Sequence, residues 1–177
     1  SRVFTKIGGK RMEFKRLTEQ NVEKVAQLYN SIWKEDSSFV DRIQKHMSYE
    51  GFKGMIAVDE GGNMIGFSYG YLSRPGQYYY SLLEKALTEK QRDIWLSHCF
   101  ELVELAVHPE FRKQGIGKQL LNELLEEVST NTALLTTQVT NLPARTLYDQ
   151  LKWTVIKEPF FPNESSEPYV IMGKKLN

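Results

Sequence analysis

The chain has 177 residues, 41% hydrophobic, 25% charged and 12% aromatic, with 23 Lys and Arg against 22 Asp and Glu and a formal net charge of +1. At roughly 100–200 residues per domain this is one domain, or one with decorations, and it can bury a full core without metal or disulfide staples. The charge balance argues against a dedicated nucleic-acid binder, and the single cysteine, Cys99, rules out an internal disulfide framework and a thiolate-built zinc site.

One cysteine fits a reducing compartment. The apolar runs fall far short of the ~18 residues that signal a membrane span, and the opening SRVFTKIGGKRMEF is basic with no apolar stretch behind it. The expectation is a cytoplasmic chain without a signal peptide or membrane contact. Residues 1–11 read as an extension ahead of the first strand.

Met12–Leu17 alternates apolar and charged residues, the pattern of a half-buried strand. Thr18 offers an N-cap, and Val22, Val25, Ala26, Leu28, Tyr29, Ile32 and Trp33 follow at helical spacing. A shorter helix is expected over Ser37–Ser48. Met55–Val58 and Met64–Leu72 form a hairpin around Asp59-Glu60-Gly61-Gly62-Asn63, whose glycines can take positive φ. After Arg74-Pro75-Gly76, one helix is expected over Tyr78–Ile94.

His98–Val107 is dense in apolar residues, as in a central strand covered on both faces. Gly117–Ser129 is the clearest helix, with Leu120, Leu121, Leu124, Leu125 and Val128 as its inner stripe. Ala133–Thr140 reads as a strand, Ala144–Leu151 as a short helix, and Trp153–Lys157 and Tyr169–Gly173 as closing strands. Strand, crossover helix and strand from 98 to 140 should run two strands parallel within one mixed α/β sheet.

The most informative segment is Val107–Leu121, VHPEFRKQGIGKQLL. A buried strand ends, Pro109 stops it, and a loop with Arg112, Lys113, Gly115 and Gly117 opens the long helix, with Lys118 just inside. Helix N-termini carry unpaired N–H groups and partial positive charge, and glycines allow close approach, so the segment suits a phosphate or pyrophosphate. It is not a dinucleotide fingerprint, because Leu120 stands where a third glycine is required. Nor is it a P-loop, because Gln119 follows Gly117-Lys118.

Arg112-Lys113-Gln114-Gly115-Ile116-Gly117 resembles the acetyl-CoA signature of the GNAT superfamily of N-acetyltransferases, [QR]-x-x-G-x-[GA] after a strand. Asn141-Leu142-Pro143-Ala144-Arg145-Thr146-Leu147-Tyr148 is similar to that family's second element, N-x-x-A-x-x-[LF]-Y, followed by an aromatic at Trp153. Lys152 departs from the glycine usual before that aromatic, and the connection 73–97 is longer than in compact members. The resemblance implies a single GNAT-like domain over residues 12–177, with 73–97 as an insertion between its third and fourth strands. Its fold would be a mixed, mostly antiparallel sheet of six to seven strands, splayed at the fourth and fifth strands, with helices on both faces.

It also implies an acyl-CoA-dependent N-acetyltransferase that uses acetyl-CoA and no metal. Arg112, Lys113, Gln114, Gly115, Ile116, Gly117 and Lys118 would hold the CoA pyrophosphate. Leu105, Ala106 and Val107 would pair by backbone with the pantetheine arm, Asn141 would bond it, Ala144 would leave room beside it, and Tyr148 would sit near the thioester sulfur. The expected acceptor is a small-molecule amine reached by direct attack. A peptide or protein amine is the alternative, and a CoA-binding regulatory module without turnover ranks below both. The family includes dimers, and no sequence feature decides the oligomeric state.

Amine acetylation needs a neutral amine, donors for an oxyanion and a proton for the departing thiolate. Tyr148 is the candidate acid, against ordinary packing beside Leu147 and Leu151. Glu101 and Glu104 are the candidate bases, since acids in a doubly covered strand are costly unless paired or used. Glu101 lies where several family members carry a catalytic glutamate. Cys99 reads as an inert small hydrophobe rather than a nucleophile, His108 as a strand terminator and His46 as a surface residue. Tyr69, Tyr71, Tyr78, Tyr79 and Tyr80 could line an acceptor pocket or simply pack. Glu35, Asp36, Glu158, Glu164 and Glu167 would favour a cationic amine.

Overall fold

The structure is a computed structural model that describes residues 2–34 and 38–176. Strand β1 (Arg2–Ile7) turns through Gly8 and Gly9 into β2 (Lys10–Arg16). A 3₁₀ turn at Glu19–Asn21 leads into α1 (Val22–Trp33), followed by α2 (Ser38–Met47), β3 (Lys53–Asp59) and β4 (Met64–Leu72). Then come α3 (Tyr78–Ala86), the single turn α4 (Glu89–Gln91), a π-helical turn at Arg92–Leu96 and β5 (Cys99–Val107). A 3₁₀ turn at Pro109–Phe111 precedes α5 (Ile116–Glu126), and β6 (Thr132–Gln138), α6 (Leu142–Gln150), β7 (Thr154–Phe160) and β8 (Tyr169–Lys175) complete the chain.

The strands hydrogen-bond in the order β1-β2-β3-β4-β5-β6-β8-β7. The sheet is mixed and mostly antiparallel, with β5 and β6 parallel as their crossover helix requires. Eight strands stand where six to seven were expected. The additional one is β1, in full antiparallel register with β2 from Arg2↔Lys15 to Ile7↔Lys10. The segment 35–37 lies outside the described residues, so the expected start of α2 at Ser37 and the acids Glu35 and Asp36 receive no structural account.

The chain divides into two compact units: residues 1–71 with 103–128, and residues 72–102 with 129–177. Strand β5 contributes residues to both. In the first unit, Ile56, Val58, Phe67 and Tyr69 alternate toward one face. There they pack with Val25, Leu28 and Tyr29 of α1 and with Phe39 and Ile43 of α2. The other face of the same strands meets α5. A Cβ at Gly66 would lie 2.8 Å from the Ala106 carbonyl and 2.9 Å from Leu120 Cδ1, so only glycine lets β4 pass so close to β5 and α5. Asp59 closes the β3–β4 hairpin by accepting from the Gly61 and Asn63 amides at 3.0 and 2.9 Å.

In the second unit, Leu83 and Leu87 pack with Leu96, Cys99, Leu134, Phe160 and Ile171. The single helix expected over Tyr78–Ile94 is broken here. Leu87 is extended at φ −93°, ψ 147°. Thr88 Oγ1 then accepts from the Gln91 amide at 3.2 Å, while Gln91 Oε1 accepts from the Thr88 amide at 2.9 Å. Thr-Glu-Lys-Gln is a capping box, and it starts a new turn inside a pattern whose apolar spacing reads as continuous. Arg92 Nη1 donates to the Leu87 carbonyl at 2.7 Å and seals the end of α3.

Candidate active site

Residues 104–107 and 112–118 belong to the first unit, and Glu101, Asn141, Ala144 and Tyr148 to the second. In the first unit, β5 ends at Val107, and His108 donates its amide to the Ile65 carbonyl at 2.7 Å. The His108 Nδ1 accepts from the Glu110 amide at 3.1 Å, so this ring caps the 3₁₀ turn, in keeping with its reading as a strand terminator. Lys113 and Gly115 are both left-handed, at φ 61° and 86°. Arg112, Lys113, Gln114 and Gly115 are exposed, and Ile116 is buried as the anchor of α5. The first backbone bond of the helix joins the Gln119 amide to the Gly115 carbonyl at 3.0 Å. The N–H groups of Ile116, Gly117 and Lys118 therefore head the helix without intrahelical partners.

That donor set fits a pyrophosphate. The loop is open at Gly115, where a Cβ would meet nothing within 4 Å. Arg112, Lys113 and Lys118 supply exposed positive charge around it. Of the strand residues expected to pair with pantetheine, Ala106 is buried and Leu105 and Val107 are partly so.

Glu104, a candidate base, forms an ion pair with Arg42 at 3.3 Å. Arg42 lies over the rings of Tyr29 and Phe39 at 5.2 and 5.0 Å. One turn further along α2, His46 is half-buried rather than at the surface. Its Nδ1 lies 2.8 Å from the Tyr69 hydroxyl, and its ring contacts Tyr71 at 5.0 Å. Burial first, then the charges of Arg42 and Lys45, push this imidazole down to about 4, so it is neutral at physiological pH. Sequence reading missed it because Asp41, Gln44 and Lys45 give α2 a wet face, and the aromatic cover comes from β4. Tyr69 and Tyr71 are core residues, whereas Tyr78 is exposed.

In the second unit, Glu101 is 6% exposed and sits opposite Leu134 in the parallel ladder with β6. That ladder has three registered pairs, Cys99↔Thr132, Phe100↔Ala133 and Glu101↔Leu134. Burial, reinforced by the Glu101 charge, pushes the Cys99 thiol up to about 12. A thiol so held is not a nucleophile at neutral pH. Burial also raises the Tyr79 hydroxyl, which lies 2.9 Å from Thr136 Oγ1 and feels the Glu101 charge. Helix α3 thus brings Tyr79 into the electrostatic field of Glu101, a neighbourhood that sequence spacing gives no sign of.

Asn141 caps α6, its Oδ1 accepting from the Ala144 amide at 3.3 Å. Tyr148 is 7% exposed and packs against Trp153 with ring centroids 5.8 Å apart. Lys152, standing where a glycine was expected, takes the left-handed conformation a glycine would take, at φ 73°. The Trp153 amide then reaches the Tyr148 carbonyl at 3.0 Å. Glu158 is held by Arg145 through two bonds of 2.7 and 3.1 Å, which lower its carboxyl. Glu164 and Glu167 are exposed. Among the described residues, no group of three or more His, Cys, Asp and Glu side chains is placed to hold a metal ion, and no helix is long and apolar enough to cross a membrane.

The sequence pattern of the Acetyltransferase (GNAT) family matches residues 22–153. The chain belongs to this family. The ribosomal protein bS18-alanine N-acetyltransferase of Salmonella typhimurium (strain LT2) is 31% identical over 82 residues, 43% of this chain and 55% of that protein. The chain thus spans about half the length of that curated relative. Among solved structures, the NatC complex bound to Gag peptide and CoA matches with a TM-score of 0.70 at 17% identity, covering 94% of this chain and 99% of that one. An aminoglycoside 6'-N-acetyltransferase complexed with coenzyme A matches with a TM-score of 0.66 at 19% identity, covering 93% and 97%. These two likenesses concern the fold.

Proposed function

We propose that this GNAT acetyltransferase moves an acetyl group from acetyl-CoA to the primary amine of a small molecule by direct attack. The observation that carries the reading is the loop 112–118, where two left-handed residues and three exposed cations open α5 inside the matched family segment.

In this reading Arg112, Lys113, Gln114, Gly115, Ile116, Gly117 and Lys118 hold the coenzyme pyrophosphate, mainly through backbone N–H groups. Leu105, Ala106 and Val107 pair with the pantetheine arm as an added strand would, and amides at this strand end stabilise the developing oxyanion. Asn141 and Ala144 border the pantetheine. Acetyl-CoA supplies an activated thioester, and the protein's task is to orient it and to manage two protons. Glu101 accepts one from the acceptor ammonium, directly or through water. Tyr148 returns one to the departing thiolate. Glu104 is the second base candidate, and its ion pair with Arg42 weighs against it, because that contact occupies the carboxylate.

A second reading takes a protein N-terminus as acceptor. It is favoured by the 82-residue similarity to an enzyme named for acetylating a ribosomal protein's alanine. Thiol release from acetyl-CoA against a panel of aminoglycosides, polyamines, amino acids and N-terminal peptides tests both. Turnover with a small amine supports the first reading. Turnover confined to peptides moves the assignment to the second, and none with any amine overturns both.

A further inference from the structure

The family match begins at residue 22, yet the hairpin of β1 and β2 that precedes it reaches the phosphate loop at three points. At the loop's entry, Lys10 Nζ lies 5.5 Å from the centre of the Phe111 ring. At its middle, a Cβ on Gly8 would stand 3.3 Å from Gln114 Oε1. At its exit, Gln119 Nε2 donates to Thr5 Oγ1 at 2.8 Å. The cross-strand pairs Thr5↔Met12 and Ile7↔Lys10 put Thr5, Ile7, Lys10 and Met12 on one face of the hairpin, the face α5 covers. Gly8 and Gly9, at φ 58° and 78°, make the two-residue turn whose handedness suits a twisted hairpin. The turn thereby meets Gln114 at Gly8.

The loop it touches has need of such support. Residues 112–115 are exposed, and two of them hold left-handed backbone conformations, one a lysine. A loop of this kind samples other conformations when unsupported, and a ligand must then meet the cost of ordering it. We propose that the β1–β2 hairpin is a positioning element of the coenzyme site, fixing Gln114 and Gln119 so that the loop is preset for the phosphates of acetyl-CoA. This rests on the coenzyme reading of the loop. Its consequence is specific: weakening the hairpin's grip raises the dissociation constant for CoA and leaves the acceptor KM and the kcat at saturating coenzyme unchanged.

The test is calorimetric titration of CoA into the full chain, alongside thermal melting. Thr5→Val removes the hydroxyl and keeps the shape. It should raise the CoA Kd about fivefold, as the loss of one hydrogen bond would, and Thr5→Ser should restore it. Gly8→Ala should weaken CoA binding by a similar factor. Gly62→Ala, in the β3–β4 turn at φ 78° with open space around it, carries a comparable backbone cost and should leave the Kd unchanged. In a Gln119→Leu background, Thr5→Val should add nothing further. The proposal is overturned if Thr5→Val and Gly8→Ala bind CoA within about twofold of the unaltered chain. It is equally overturned if Gly62→Ala weakens CoA as they do, since the effect would then track stability alone. Failure of the unaltered chain to bind CoA would overturn the coenzyme reading itself, and this proposal with it.

Discussion

The two units present their candidate residues in opposite ways. In the first, Arg112, Lys113, Gln114, Gly115 and Lys118, which would meet the coenzyme phosphates, are exposed, and their useful groups are backbone amides and long cations. In the second, the candidate acid and base, Tyr148 and Glu101, are buried side chains at 7% and 6% exposure. A polyanion is well served by donors that stay in water until it arrives. Proton transfer is better served by side chains held in place beside the reacting atoms. Mutations in the phosphate loop should therefore change binding, and those at Glu101 and Tyr148 should change rate.

The largest effect is expected in the first unit. Gly117→Glu puts a carboxylate among the first-turn amides of α5, and the CoA Kd should rise by on the order of 100-fold or more in calorimetry. In the second unit, Glu101→Gln should lower kcat by on the order of 100-fold with CoA affinity nearly intact. Unchanged turnover would pass the role to Glu104 or to water. Tyr148→Phe should cost less, on the order of tenfold in thiol release. A thiolate with a pKa near ~8.5 departs readily at neutral pH and depends less on an acid.

A smaller effect concerns stability in the first unit. His46 has its folded pKa held near 4, below the ordinary 6.5. The unfolded chain therefore binds the extra proton first, and stability falls as pH drops from 6.5 toward 4, by on the order of 2 kcal/mol. Denaturant midpoints at pH 7 and 4.5 should show the loss, and His46→Gln should shrink it. The smallest effect is expected at Cys99, whose thiol is pushed up to about 12. Cys99→Ala should leave kcat within about twofold, and intact mass should find no acetyl group on the unaltered chain after incubation with acetyl-CoA alone.

Much of this was legible in the sequence because it depends on local rules. The hairpin at 59–63, the parallel pair around α5 and the glycine loop that opens α5 follow from turn chemistry, crossover geometry and a helix N-terminus. What was hidden depends on partners distant in sequence. The strand β1 reads as an extension, because its alternation of charged and apolar residues acquires a buried side only when α5 lies against it. The break at Leu87 was legible in principle, since Thr88 and Gln91 are spaced as a capping box, but the apolar periodicity across it masks the signal. The pairing of Glu104 with Arg42 and of His46 with Tyr69 joins residues more than 20 positions apart, so no motif announces them.

The separation of binding from chemistry can be put to one direct measurement. CoA titrations and acetyl-CoA turnover would be recorded side by side for the unaltered chain, Gly117→Glu and Glu101→Gln, with whichever amine the thiol-release panel identifies. The account predicts that Gly117→Glu loses CoA binding, and that Glu101→Gln binds CoA normally while transferring acetyl on the order of 100-fold more slowly. A Gly117→Glu protein that still binds CoA, or a Glu101→Gln protein that loses binding and turnover together, would contradict it.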